Sequence, residues 1–181
     1  MDIVAHGLWV GAGAAWLHRH RPLSGRTVAL AVGLTVLPDL VQLLPLLYWV
    51  LFRATDMAVV LAYINGLPGA EPVFEPALAL LTHHLHCVMH SALVAGVVTG
   101  LSWAALGRFW WPLAGWWAHI VVDVFSHSAD FYPSPVLYPL TQRGFDGVAW
   151  NTPVFMAINY LALAGVYGVL GWRYWQGFYK K

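Results

Sequence analysis

The residues with the capacity for chemistry are imidazoles and carboxylates set at helical spacing inside apolar runs. His119, Asp123 and His127 follow one another at intervals of four. Residues four apart share a face of an α-helix, so these three form one stripe. A second stripe consists of His83, His86 and His90, with His84 turned about 100° away from it. His6 and Asp39 stand in two further apolar runs. An imidazole and a carboxylate one turn apart make a two-point grip on a divalent ion. Neutral imidazole with carboxylate suits Zn²⁺, with Mn²⁺ or Fe²⁺ as alternatives, better than Mg²⁺ or Ca²⁺, which prefer all-oxygen shells. His86, His90, His119 and Asp123 are therefore the candidate metal ligands, with His6 completing the site. Asp39 either joins them, helps to hold a second ion, or serves as the general base. His83, His127, Ser91 and Arg143 are candidates for supporting or substrate contacts.

Each of these has an ordinary alternative. A lone intramembrane imidazole such as His6 is as readily an interhelical hydrogen-bond donor as a ligand. His84 and His127 can reach the headgroup layer instead. Ser91 beside His90 invites comparison with serine hydrolases, but the chain has no Gly-x-Ser-x-Gly elbow. Without an ion, the two stripes would leave carboxylate and imidazole groups unpaired in lipid, at high cost.

The chain that must position these groups is 60% hydrophobic and 9% charged, with a mean hydropathy of +0.64. That is too apolar for a soluble domain. Its 181 residues leave room for about five or six spans of about 20 residues each. The expected fold is all-α, a single polytopic transmembrane helical bundle over residues 1–181. A net charge of +1 excludes a strongly basic nucleic-acid binder. The single cysteine, Cys87, makes no internal disulfide, and no Cys-x-x-Cys pair points to redox chemistry. The first apolar run lacks a basic leader and reads as a retained span, not a signal peptide.

Five stretches predict spans: Ile3 to Leu17, Thr27 to Phe52, Ala77 to Leu106, Phe109 to His127, and Pro153 to Trp172. Pro38 and Pro45 remove backbone donors from the second, which predicts a broken span near Pro38-Asp39. Residues 53–76 read as an extramembrane connection. Residues 128–152, with Tyr132, Tyr138, Phe145 and Trp150, read as interfacial. Gly7 with Gly11, and Gly96 with Gly100, predict close helix packing.

Lys and Arg near span ends stay on the cytoplasmic side. Arg19, Arg21, Arg26, Arg108, Arg173, Lys180 and Lys181 fall on one side of five crossings, whereas Arg53 and Arg143 fall on the other with Asp2, Asp56, Glu71, Glu75, Asp130 and Asp146. The expectation is an integral protein of a bacterial inner membrane, N-terminus out and C-terminus in. His6, the two histidine stripes and Asp123 then share the outer leaflet with Asp39 near mid-depth, while His18 and His20 lie in the opposite loop.

These residues resemble the YdjM-like family of membrane-bound metal-dependent hydrolases. The resemblance runs through His6-Gly7, Pro38-Asp39, His86 to His90-Ser91, and Gly115 to His119, Asp123 and Ser126-His127, in that order. Where the family often reads Pro-Asp-x-Asp, this chain reads Pro38-Asp39-Leu40-Val41, and His83, His84 and His86 replace an Arg-Gly before His90. The resemblance implies metal-dependent hydrolysis.

The expected function is thus a membrane-embedded metal-dependent hydrolase acting on a lipid or lipid-linked ester at the outer leaflet, with membrane lipid as partner and Arg143 as a headgroup anchor. One rival is a metal-ion or proton transporter, whose path should continue through the inner halves of the spans. Another is a haem protein with paired axial histidines.

Overall fold

The computed structural model describes residues 1–52, 56–66 and 72–178. Arg53, Glu71, Lys180 and Lys181, which enter the expected charge asymmetry, lie outside the described residues. Within them the chain forms seven helices and no strand: α1 (Ile3–His18), α2 (Gly25–Phe52), α3 (Met57–Asn65), α4 (Pro76–Met89), α5 (Ala92–Leu106), α6 (Leu113–Ser126) and α7 (Pro153–Phe178). The all-helical expectation holds.

Two helices, α2 and α7, are long and apolar enough to cross a membrane, and α4 with α5 makes a third if that bent pair is one span. The distribution of side chains is inside-out. His6, Asp39, His90, His119 and Asp123 are buried, whereas Leu51, Val154 and Leu161 are exposed. A helix facing hydrocarbon gains nothing by hiding leucine, but must hide its ionisable groups.

The break expected at Pro38-Asp39 is not there. The helix α2 runs unbroken through Pro38 and Pro45. Proline inside a span is tolerated where neighbours re-satisfy or shield the freed carbonyls, and α2 is the central helix, packed against α1, α4 and α6. The break falls in the third apolar stretch instead, where α4 and α5 meet at 56°. Ser91 causes it. Its backbone is extended, its Oγ accepts the Val94 N–H at 3.2 Å to cap α5, and its own hydroxyl donates to the Tyr138 carbonyl at 2.7 Å. An N-cap of this kind starts a new helix, so the old one ends at His90.

Residues 127–150 do more than lie at an interface. Gly147, Val148 and Trp150 donate backbone N–H groups to the carbonyls of His127, Phe125 and Ser126, satisfying orphan acceptors at the end of α6. The Ala92 N–H at the start of α5 donates to the Val136 carbonyl at 2.9 Å. The segment straps the end of α6 to the α4–α5 break. Gly147 is required there, since a Cβ would lie 2.5 Å from the Phe125 carbonyl oxygen. On the far side α7 leans on α1: the Trp9 indole donates to Asn159 at 2.9 Å and the Tyr167 hydroxyl to the Leu8 carbonyl at 2.8 Å.

The closest helix contact is not at the glycine pairs expected to provide it. A Cβ at Gly96 or Gly100 meets nothing within 4 Å, and one at Gly7 makes only ordinary contacts with Val32 and Val36. One at Gly11, however, would stand 3.0 Å from the Tyr167 hydroxyl of α7, a close approach of the expected kind. At Gly115 on α6 a Cβ would stand 1.9 Å from the Ala31 carbonyl oxygen of α2. Asp39 lies eight residues beyond Ala31, and Asp123 eight beyond Gly115. The two helices therefore run parallel in register, and the contact at their base carries both carboxylates about 12 Å up to one level.

Replacing Gly115 with alanine should force α2 and α6 apart and destabilise the protein by about 1–3 kcal/mol. Thermal unfolding in detergent checks this against Gly100→Ala, which should be neutral or slightly stabilising because its Cβ has open space.

Candidate metal centre

Three elements deliver four ligand atoms to one point. Helix α2 brings Asp39, the α4–α5 break brings His90, and α6 brings His119 and Asp123 one turn apart. One ligand atom from each lies within 4.8 Å of all the others, and all four residues are buried. His90 Nε2, His119 Nε2 and Asp123 Oδ2 form a nearly equilateral face with edges of 3.0, 3.1 and 3.2 Å. Asp39 Oδ1 is the fourth vertex, 3.8 Å from His90 Nε2 and 3.9 Å from His119 Nε2. Metal–ligand bonds of about 2.0–2.2 Å place tetrahedral ligands about 3.3–3.6 Å apart and neighbouring octahedral ligands about 2.8–3.1 Å apart. The three edges of the face fall within these limits, and the two edges to Asp39 are a few tenths of an ångström longer.

The donor chemistry agrees with the spacing. The His90 Nδ1–H donates to the His86 carbonyl at 2.8 Å, which leaves the lone pair of Nε2 facing the cluster. Asp123 Oδ2 has no hydrogen-bond partner although both imidazole nitrogens are close. Two carboxylates and two imidazoles converging in a buried site, with Asp39 Oδ2 and Asp123 Oδ2 left without partners, are costly unless a cation joins them. The cluster can hold a metal ion.

Around it stand groups that orient the ligands. His6 lies 2.8 Å from Asp123 Oδ1 through Nε2, and its ring stacks on His119 with centroids 4.0 Å apart. The Ser126 hydroxyl donates to the same oxygen at 3.2 Å, and the Met1 amine contacts it too. The His127 Nδ1–H donates to the Asp123 carbonyl at 3.1 Å, and its ring stacks on Phe131. His86 packs on the His90 ring, and its Nδ1 is 2.7 Å from Gln42 Oε1.

The structure thus brings together four of the sequence candidates and sets His6, His86 and His127 against them. It does not bring Ser91, His83 or Arg143 to the cluster. Ser91 caps α5. His83 is exposed, 3.4 Å from Gln142 Oε1, and Arg143 is exposed in the strap. His84 Nδ1 meets the Tyr138 hydroxyl at 3.1 Å, and His18 is exposed at the C-terminal end of α1, where it accepts the Leu23 N–H at 3.0 Å. Gln42 and Thr35 escaped the sequence reading. Thr35, Asp39, Gln42 and Leu46 share one face of α2, a stripe visible in the sequence once a continuous helix replaces the expected break.

A cavity of about 250 Å³ opens beside the cluster. Asp39, His90 and His127 supply its polar wall, and Leu43, Phe131 and Trp150 part of its apolar one.

His119→Ala and Asp123→Ala should each remove most of the bound ion, and His6→Ala should weaken its affinity by about 10–100-fold, as loss of an orienting partner does. His18→Ala should leave it unchanged. Elemental analysis of the purified variants decides, and equal content in all four would remove the ligand assignment. Comparison of the chain with protein-family models, with curated proteins and with solved structures finds no match, so the YdjM-like resemblance rests on the residues themselves.

Proposed function

We propose that the protein is a membrane-embedded metal-dependent hydrolase acting on a lipid or lipid-linked ester near the outer surface of a bacterial inner membrane. The observation that carries this reading is the buried Asp39, His90, His119 and Asp123 cluster beside a cavity lined by both polar and apolar side chains. In this reading α1, α2, the α4–α5 pair, α6 and α7 make five crossings, N-terminus out and C-terminus in. Helices α1 and α6, at 16 and 14 residues, cross with help from the segments that flank them. The resemblance to YdjM-like hydrolases points the same way.

A divalent ion held in the cluster, Zn²⁺ or else Mn²⁺ or Fe²⁺, would lower the pKa of a bound water toward neutrality and polarise the ester oxygen. The chain does the rest. His90, His119 and Asp123 fix the ion's position on one face. Asp39 turns Oδ1 to the cluster and keeps Oδ2 buried without a partner at the cavity wall, placed to take the water's proton. Asp39 would hand that proton to the leaving oxygen as the ester C–O or P–O bond breaks and the water's oxygen takes its place.

Two features favour hydrolysis over the rival readings. The 3.0 Å separation of His90 Nε2 and His119 Nε2 suits one ion touched by both, not two axial ligands on opposite faces of a porphyrin. Below the cluster the crevice between α1, α2 and α6 is lined by apolar and small residues with no acid, which gives an ion or proton no onward path.

Asp39→Asn keeps the shape of the side chain but removes the proton acceptor. It should lower turnover on the ester that proves to be the substrate by about 10²-fold or more while most of the metal stays bound by the other three ligands. Release of fatty acid, phosphate or headgroup from a lipid panel, read beside metal content, checks both halves. A metal-loaded protein that hydrolyses no lipid in the panel sinks the reading.

A further inference from the structure

A second cavity of about 250 Å³ lies between α1, α2 and α6 on the other side of the cluster. Its upper end is walled by His6, which contacts Asp123, and by Thr35, one turn below Asp39. Its lower end is reached at Leu17, Leu23 and Trp111. From His6 to Leu17 the crevice follows α1 for about 16 Å. Apart from Thr27 near the lower end, where its hydroxyl pairs with Ser24, the walls between the two ends are apolar or small, with Gly13, Ala14, Ala31 and Ala118 leaving the width. A Cβ built at Gly13 meets nothing within 4 Å.

One group in this lining is out of place. Thr35 is wholly buried and its hydroxyl has no hydrogen-bond partner. A helical threonine ordinarily returns its hydroxyl to a carbonyl a turn back, and a buried hydroxyl left bare is costly. It sits at the end of the crevice nearest the metal centre, where a ligand with an apolar body and a polar end would place its first oxygen.

From this we infer that the crevice between α1, α2 and α6 receives a single hydrocarbon chain of the lipid substrate, its polar end at Thr35 and His6, and that Gly13 and Ala14 set how long a chain is accepted. The inference deepens the lipid-ester reading by orienting the substrate: hydrocarbon in the crevice, polar portion in the cavity on the far side of the cluster. The apolar lining selects a saturated or isoprenoid chain over any polar ligand. A cavity of about 250 Å³ running along one helix suits one chain better than the two of an intact diacyl body.

The test uses the full chain in detergent and a laurate probe carrying a diazirine at its methyl end. Irradiation should label residues lining the lower crevice, such as Ala14 and Leu17, and unlabelled laurate should compete the labelling away. Gly13→Trp fills the crevice and should reduce saturable labelling by about tenfold, the cost of excluding about two methylenes. Gly100→Trp, on the exposed side of α5, should leave it unchanged. Ala14→Leu is a milder filling variant that serves if the tryptophan disturbs folding, judged by elution volume and helix content. Labelling that laurate does not compete, or that falls only on outward residues such as Leu101 and Leu161, overturns the inference, and the wild-type map alone suffices for that. Saturable crevice labelling without ester hydrolysis would instead sink the hydrolase reading and leave the crevice standing. Hydrolysis without saturable labelling would do the reverse.

Discussion

The structure turns on one buried carboxylate. Asp123 is fully enclosed, and its two oxygens serve different neighbours: Oδ2 faces His90 and His119, and Oδ1 faces His6 and Ser126. The His6 and Ser126 contacts ease the burial of that charge at Oδ1, whereas Oδ2, without a hydrogen-bond partner, is left for a cation. Every helix that touches the centre is held in place by that requirement. The imidazoles of α1 and α6 stack at ring-contact distance, α2 must stand close enough for Asp39 to reach, and α4 must end where His90 turns inward.

Backbone geometry makes this possible before any side chain is considered. Gly115 lets α6 approach the Ala31 carbonyl of α2 closely, and the in-register run above that contact brings two carboxylates to the same height. At the upper end the strap of residues 127–150 uses main-chain groups to fasten the end of α6 and the start of α5. Contact at the base and fastening at the top frame the centre from both ends. The polar groups between need only short, well-defined rotamers to meet.

Legibility in the sequence followed the periodicity of each segment. The stripe of His119, Asp123 and His127 was readable because α6 is an ordinary helix and residues four apart share its face. The stripe of His83, His86 and His90 was only partly readable, since the helix ends at His90 and the geometry of a continuous helix fails there. His86 consequently meets Gln42 while His90 meets the cluster. The misplaced break has a physical cause. Proline is a strong local signal and the Ser91 cap a weak one, yet packing around α2 overrides the first and nothing opposes the second. Asp39 was legible as an ionisable group in an apolar run, but its partnership with Asp123 depends on the contact at Gly115, and sequence spacing alone does not say which glycine will meet a backbone. Ser91 stood out beside His90, and only three-dimensional placement shows it as the cap of α5; Arg143, read as a headgroup anchor, is exposed in the strap.

The order of the ligands along the chain has a consequence for biogenesis. Asp39 enters with α2, His90 with the close of α4, and His119 and Asp123 only with α6. A nascent chain inserted as far as α5 holds one carboxylate and one imidazole of the cluster, too few to retain an ion against competing chelators. An ion held by all four residues could therefore be captured only after α6 has joined α2 and α4, and would close a site whose parts were already assembled.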